Sequence, residues 1–506
     1  MPPHNRPSAP APSPAPTRGP GVRLTPGAGA ALAAAVGAAL TAAFAPSTSA
    51  VAPRAVQPAP WPSALGDPTS AALLARLPDG PEKRKFLLDC TGCHQFSPRV
   101  AYPGGRARTA AEWEDAVTRM LRYGGARGPF PVIHSDRDAS ATAAWLARHL
   151  PAAAPARAPH GPGEAPARLV PPAATWAVTE YALPAPWDLP HDVAVAADGR
   201  VVVTGMMTDR MYVLDPGAPG ARARRFDAVP IPVPRANPRA VEIDPAGRWW
   251  VALGAPGAVA VYDPARAAGD GAWRTFAVGV YPHSVALGAG DGEAWFNGHF
   301  TRAPALIGRV RLSPLGAAGR GVDSVALAPH PTLAADPGGP IPYEIRVAPD
   351  GVVWTSELHG NRLVAHDPRT RRTWAVDMPE PHSGPRRFDV DASGVLWVPA
   401  YAANALVRYD PRGGRFARVP LPIGDAVPYV ARVDRAAGHV WVGTSAADAL
   451  LRYTPRTGAW AAFPLPSRGA LVRHLAVDPR TGDVWVAYGA SPGPAAKIAR
   501  LTTRAP

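Results

Sequence analysis

The sequence predicts a small all-α domain followed by an all-β seven-bladed β-propeller. Three observations carry this. A unit of the form P-x-x-x-x-V-D-x-x-G-x-V-W-V…N-x-L-x-x-x-D-P recurs through residues 176–506. Each copy breaks into short alternating runs separated by turn residues, which is the pattern of short strands. Ahead of the repeat the composition changes, and apolar residues fall at helical spacing.

The repeat is clearest at "IPYEIRVAPDGVVWTSELHGNRLVAHDP" and "GPRRFDVDASGVLWVPAYAANALVRYDP". Alignment on its tryptophan gives Val202, Trp250, Trp295, Trp354, Trp397, Trp441 and Trp485. The intervals run from 43 to 48 residues, with one of 59 between the third and fourth copies. A period in the forties with several strands per copy marks a propeller, whose blades close radially and leave little free edge. The last copy ends near "KIARLTT" without an outer strand. "WAVTEYALP" (176–184) matches the outer-strand pieces "GRFARVPLP" and "GAWAAFPLP", so it is expected to complete the last blade and latch the ring. The repeating tryptophans are expected to pack between blades.

At 506 residues the chain exceeds one ordinary core. Its formal charge is +14, yet it has no Lys/Arg block and no aromatic-interleaved basic stripe. That argues against a nucleic-acid partner and for a solvated arginine-rich surface. Residues 1–50 read as a signal peptide: arginines without acids, then "GAGAALAAAVGAALTAAFA", then small residues before a cleavage point at Ala50. This implies a periplasmic or secreted protein; an uncleaved N-terminal anchor is the alternative. No later segment is apolar enough to cross a membrane. Residues 51–65 read as a linker, 66–151 as the helical domain, 152–175 as a Pro/Ala-rich tether and 176–506 as the propeller.

The chain has two cysteines, and both lie in "FLLDCTGCHQF" (86–96), with His94 directly after Cys93. C-x-x-C-H fits c-type haem attachment: Cys90 and Cys93 add to the vinyl groups and the His94 imidazole reaches the iron. A Cys90–Cys93 disulfide or a thioredoxin-like redox pair would use the same thiols. Zinc would want four ligands, and there is no second cysteine pair. The run from Asp79 through Pro81 into "EKRKFLLD" is a helix start without a preceding βαβ pattern, which favours haem.

In "TAAEWEDAVTRMLRYGG", Thr109 and Glu112 form a capping box. Trp113, Val117, Met120 and Leu121 then share one helical face, and Gly124 and Gly125 stop the helix. Met120 is the methionine of residues 66–151 and the candidate second axial ligand, with His134 in reserve. Asp138 opens a last helix, "ASATAAWLARHL", whose Trp145, Leu146 and Leu150 are expected to pack on the previous one. This region of about 85 residues resembles the cytochrome c family through "CTGCH", "WEDAVTRM" and the closing helix. The resemblance implies one covalent haem c, His94 and Met120 as iron ligands, and one-electron transfer with a redox partner protein or a small-molecule donor.

The propeller half resembles the streptogramin B lyase (virginiamycin B lyase) family through "TEYALP", "LPHDVAV", "YPHSVAL" and "VVWTSELHGNRL". That family implies seven blades and opening of a cyclic depsipeptide by elimination, with a histidine base and Mg2+ held by glutamates. The carry-over is partial. Glu357 matches a metal carboxylate and His283 matches a histidine of the preceding blade. Tyr343 stands at the position of the base, and Ile341 at that of the second carboxylate. Glu344 is adjacent, but strand alternation is expected to turn it away from Tyr343.

The same repeat positions place His191, Arg239, His283, Tyr343, Arg386, Tyr429 and Arg473 around the central mouth. Gly205, Leu253, Gly298, Glu357, Ala400, Thr444 and Tyr488 are expected as a deeper ring. Three arginines, two histidines and two tyrosines suit an anionic or aromatic ligand. Three functions follow: an exported electron-transfer cytochrome whose propeller binds a small molecule or redox partner, an Mg2+-dependent lyase with an accessory haem domain, or a non-catalytic docking scaffold.

Overall fold

A computed structural model describes residues 70–125, 128, 132–133, 137–150, 176–217, 226–266, 271–300, 304–313, 321–333, 339–489 and 493–503, with the backbone of 54–56 and 168–169. The expected signal peptide and His134 lie outside the described residues.

Seven antiparallel sheets form the blades of a propeller. Six take their four strands consecutively from the chain, beginning with Pro190–Val195 of blade 1. Blade 7 is composite. Its strands His474–Val477, Val484–Tyr488 and Lys497–Thr502 are joined by Ala177–Ala182 from the far end of the ring, paired Ala177 to Thr502 and Tyr181 to Ile498. This is the latch expected from "WAVTEYALP". Two short strands within the segments read as linkers add to the rim: Arg54–Val56 beside Ala177–Ala182, and Arg168–Leu169 parallel to Ala459–Pro464 of blade 6.

The core of the ring is a series of apolar seams between neighbouring blades. Trp250 joins the seam between blades 2 and 3, Trp354 that between 4 and 5, and Trp485 that between 7 and 1. Trp295, Trp397 and Trp441 do the same in their own seams. All six are at most 4% exposed, so they are inter-blade packing. Trp250 and Trp397 each direct Nε1 to an aspartate at the turn before their strand, Asp244 (2.9 Å) and Asp391 (3.0 Å). In these two blades the Asp–x–x–Gly turn therefore anchors the tryptophan as well as reversing the chain.

The segment before the ring is helical: α1 (Ser70–Leu74), α2 (Pro81–Cys90), α3 (Pro98–Ala101), α4 (Ala110–Gly124) and α5 (Ala139–His149). Pro81 sits at the first position of α2, where its missing N–H costs nothing. The Thr109/Glu112 capping box of α4 is formed, and Asp138 caps α5 by accepting from the Ala141 N–H (2.6 Å). Phe86, Phe96, Trp113 and Trp145 pack as a chain of rings 5.1–5.8 Å apart.

The helices do not stand apart from the ring. One apolar cluster runs from Leu73, Leu87, Leu88 and Phe96 into Leu358, Ala402, Val427, Ala446 and Leu471, on the end of blades 4 to 7. Around it Lys83 bridges Asp79 (2.9 Å) and Asp425 (2.8 Å), and Arg84 pairs with Glu380 (2.6 Å). The Ala71 N–H donates to the Ala446 carbonyl (2.9 Å).

Candidate functional site

The helical segment delivers the cysteine motif onto the mouth of the ring. Cys90 ends α2, and Thr91 closes it by donating Oγ1–H to the Leu87 carbonyl (2.8 Å). The same hydroxyl lies 2.7 Å from the Tyr401 phenol of blade 5. The Cys93 carbonyl accepts from Arg473 of blade 7. Gln95 donates to Asp448 Oδ1 (2.8 Å) and to the Ala470 carbonyl (3.0 Å).

Both thiols are free; Cys90 is half-buried and Cys93 exposed. Burial pushes the Cys90 thiol up to about 12, with Arg137 only partly opposing it. Zinc finds no ligand set, since no group of three or more metal-ligating side chains occurs among the described residues. His94 Nδ1 is 3.0 Å from the Gln95 carbonyl. With the proton on Nδ1, that bond leaves Nε2 as the lone-pair nitrogen, the arrangement an imidazole ligand requires. His94 also lines a cavity of about 330 Å³, between Ser97 and Arg99 on one wall and Arg468, Gly469 and Pro494 on the other.

Met120 stands on α4 seven residues after Trp113, rotated only about 20° from it. Trp113 is 3% exposed and Met120 is 42% exposed. The core that covers this face at Trp113 and Val117 therefore stops one turn later. Tyr123, next on that side, is also exposed, and it feels the Cys93 sulfur and Arg239.

The expected mouth ring assembles. In blades 1 to 4 and 6 the innermost strand starts with proline, and a bulge follows it. In blades 1 and 3 two residues then oppose one, and the side chain opposite accepts from both of their N–H groups. Thr204 Oγ1 accepts from His191 and Asp192 (3.3 and 2.9 Å), and Asn297 Oδ1 from His283 and Ser284 (3.2 and 2.9 Å). The His191 and His283 rings are 5.2 Å apart, and His283 and Tyr343 4.5 Å. Arg386 lies over Tyr343, Tyr401 and Tyr429 at 3.9–4.8 Å and donates to the Tyr343 phenol (2.8 Å). The Tyr343 and Tyr429 hydroxyls are 2.5 Å apart. Burial raises Tyr343, whereas at Tyr429 the nearby Arg386, Arg473 and Arg387 outweigh burial and pull the phenol below its usual value.

The bulge also decides where Glu344 goes. Strict alternation fails at Tyr343–Glu344, because both oppose Ser356. Glu344 enters a second, charged layer beneath the mouth, 2.9 Å from Arg346 and 3.4 Å from Arg432. Asp192 pairs with Arg387 there (2.7 Å), and Arg346 with Glu242 (2.6 Å). Sequence reading missed this layer. Its signal was present in the residue after each mouth position, as in "PHD" and "PYEIR", but reading it needed the bulge.

The residues read as a deeper ring lie elsewhere. Gly205, Leu253, Gly298, Glu357 and Thr444 pair with the strand-initiating prolines, level with the mouth and one strand out from it. Glu357 is fully buried and bonded to Arg362 Nε (2.5 Å). His283 Nδ1 lies 2.9 Å from the Tyr343 carbonyl, and its Nε2 is buried without a hydrogen-bond partner among the described residues. Burial, reinforced by His299 and Arg239, holds His283 well below the usual histidine range.

No protein-family model and no curated protein matches the chain. Among solved structures it is similar to a streptogramin B lyase, with a TM-score of 0.54 and 18% identity over 65% of this chain and 97% of that one. It is likewise similar to virginiamycin B lyase from Staphylococcus aureus, with a TM-score of 0.53 and 18% identity over 65% and 99%. U3-55K aligns over 65% and 99% at 8% identity, with a TM-score of 0.50. At such identities the likeness is one of fold, the seven-bladed ring.

Proposed function

We propose that the chain is an exported c-type cytochrome in which the propeller is the scaffold that holds the haem-attachment loop. Cys90 and Cys93 carry one haem c through thioether bonds, and His94 and Met120 are its iron ligands. When bound, the haem supplies one-electron transfer. The chain's own residues do the positioning. Thr91, Cys93 and Gln95 tie the loop to blades 5 to 7, the Gln95 carbonyl orients His94, and Arg386 and Arg473 lie beneath the loop. The electron donor or acceptor is a redox protein or a small molecule, and the protein works in the periplasm or outside the cell.

The observation that supports this best is the C-x-x-C-H loop itself, with the His94 Nδ1 3.0 Å from the Gln95 carbonyl. The test is expression with cytochrome c maturation machinery and a reduced pyridine haemochrome spectrum. A c-type spectrum is expected from the wild type and none from Cys90→Ala/Cys93→Ala. A wild type without covalent haem would sink the reading.

The lyase reading has the fold likeness behind it. Against it, the Mg2+ carboxylate it needs, Glu357, is engaged by Arg362.

A further inference from the structure

The mouth arginines differ from the other buried arginines of the ring. Arg346, Arg387 and Arg432 face Asp192, Glu242, Glu344 and Asp389. Arg239, Arg386 and Arg473 face no carboxylate among the described residues. Their partners are neutral: the Met206 sulfur and Tyr281 ring for Arg239, the Tyr343 phenol and three tyrosine rings for Arg386, and the Cys93 carbonyl for Arg473. Arg386 is 2% exposed and Arg473 4%. Burying cationic groups without counter-charge is costly, so the arrangement calls for an explanation.

Their position supplies one. Arg473 bonds the Cys93 backbone, and a β-carbon on Gly92 would stand 2.6 Å from Arg386 Nη2. Two uncompensated positive charges therefore sit directly beneath the haem-attachment loop, and Arg239 lies near Tyr123 on its open side. A positive charge stabilises the redox state that holds one more electron, and it does so more strongly where water is excluded.

We propose that Arg386 and Arg473, assisted by Arg239, raise the reduction potential of the haem carried by Cys90 and Cys93, so that the propeller tunes the electron-transfer centre it holds. This rests on the haem reading above. The three are positioning residues, since they act through charge on a centre they need not touch.

The test uses the full-length, haem-loaded protein in a mediated optical redox titration, with dithionite as reductant and ferricyanide as oxidant. Covalent haem is quantified for every variant by pyridine haemochrome. The potential is expected to fall in Arg473→Gln and in Arg386→Gln. It is expected to return toward wild type in Arg473→Lys, which keeps the charge. It should stay unchanged in Arg415→Gln, which removes one charge from the exposed rim of blade 5. If Arg386→Gln fails to fold, Arg473→Gln and Arg239→Gln carry the test. Full haem with equal potentials in the wild type and the glutamine variants would overturn this inference and leave the haem reading standing. Absence of covalent haem in the wild type would overturn both.

Discussion

Arg386 and Gly92 touch across the boundary between the ring and the helical segment: any β-carbon on Gly92 would stand 2.6 Å from Arg386 Nη2. A flexible guanidinium would normally swing aside. This one is stacked among Tyr343, Tyr401 and Tyr429 and cannot do so without breaking those contacts. Gly92→Ala is therefore expected to cost about 1–3 kcal/mol by overpacking. The loss should appear in denaturant unfolding, together with faster proteolysis of residues 70–150. Unfolding and proteolysis as in the wild type would show that the loop does not press on Arg386.

Acid should loosen the ring from its axis. Burial and then Arg239 hold His191 down to about 3, against the support of Asp192, and burial holds His283, His299 and His474 well below the usual histidine range. These groups are neutral in the fold, while in the unfolded chain they take up protons below about pH 6.5. The unfolded state then binds more protons, so stability is intact above that pH and falls as pH drops toward 3. For His191 alone the loss by pH 4 is on the order of 3 kcal/mol. Unfolding free energies between pH 7 and pH 4 should show this slope, and His191→Gln should flatten it. Parallel slopes in the two proteins would assign the acid sensitivity to other groups.

The ring was legible because its evidence is repeated: seven copies average out local ambiguity, and "TEYALP" announces the latch by its likeness to two other outer strands. The C-x-x-C-H motif stands out in the sequence because five contiguous residues carry it. The docking of helices on the ring was not, since Thr91, Gln95, Lys83 and Arg84 find partners roughly 300 or more residues away and no local pattern encodes such a pairing. The charged layer under the mouth was hidden by a bulge that period-two reasoning cannot anticipate. Met120 shows the opposite limit: helical spacing puts it on the side of Trp113 and Val117, but spacing does not tell whether a core covers a position, and Met120 is exposed where those two are buried.

Glu357 separates the lyase reading from a purely structural role. Among the described residues its carboxylate is the one charge paired with the buried Arg362, whose other donors go to the Ala328 (2.5 Å) and Pro329 (3.2 Å) carbonyls. Glu357→Gln should therefore destabilise the fold by about 3–5 kcal/mol through an unpaired buried cation. Millimolar Mg2+ should leave the melting temperature of the wild type unchanged. A rise with Mg2+ that disappears in Glu357→Gln, with turnover of a cyclic depsipeptide, would restore the lyase assignment.

Closure of the ring rests on Ala177–Ala182, the strand that comes from before blade 1 to complete blade 7. Its inward residue Val178 is 2% exposed in the seam with Trp441 and Val486, while Ala182 at its end is exposed. Releasing this strand would leave Lys497–Thr502 as an unpaired edge, loosen the seam between blades 6 and 7, and withdraw Tyr181 from the seam between blades 7 and 1. Val178→Asp places a charge in that seam and should cost more than about 3 kcal/mol, whereas Ala182→Asp should stay within about 0.5 kcal/mol. Because the latch joins the two ends of a closed ring, its loss should also broaden the single unfolding transition followed by tryptophan fluorescence, as the blades are no longer held to one cooperative event. Equal costs for the two substitutions, or a transition as sharp as the wild type's in Val178→Asp, would mean that the ring holds without its latch.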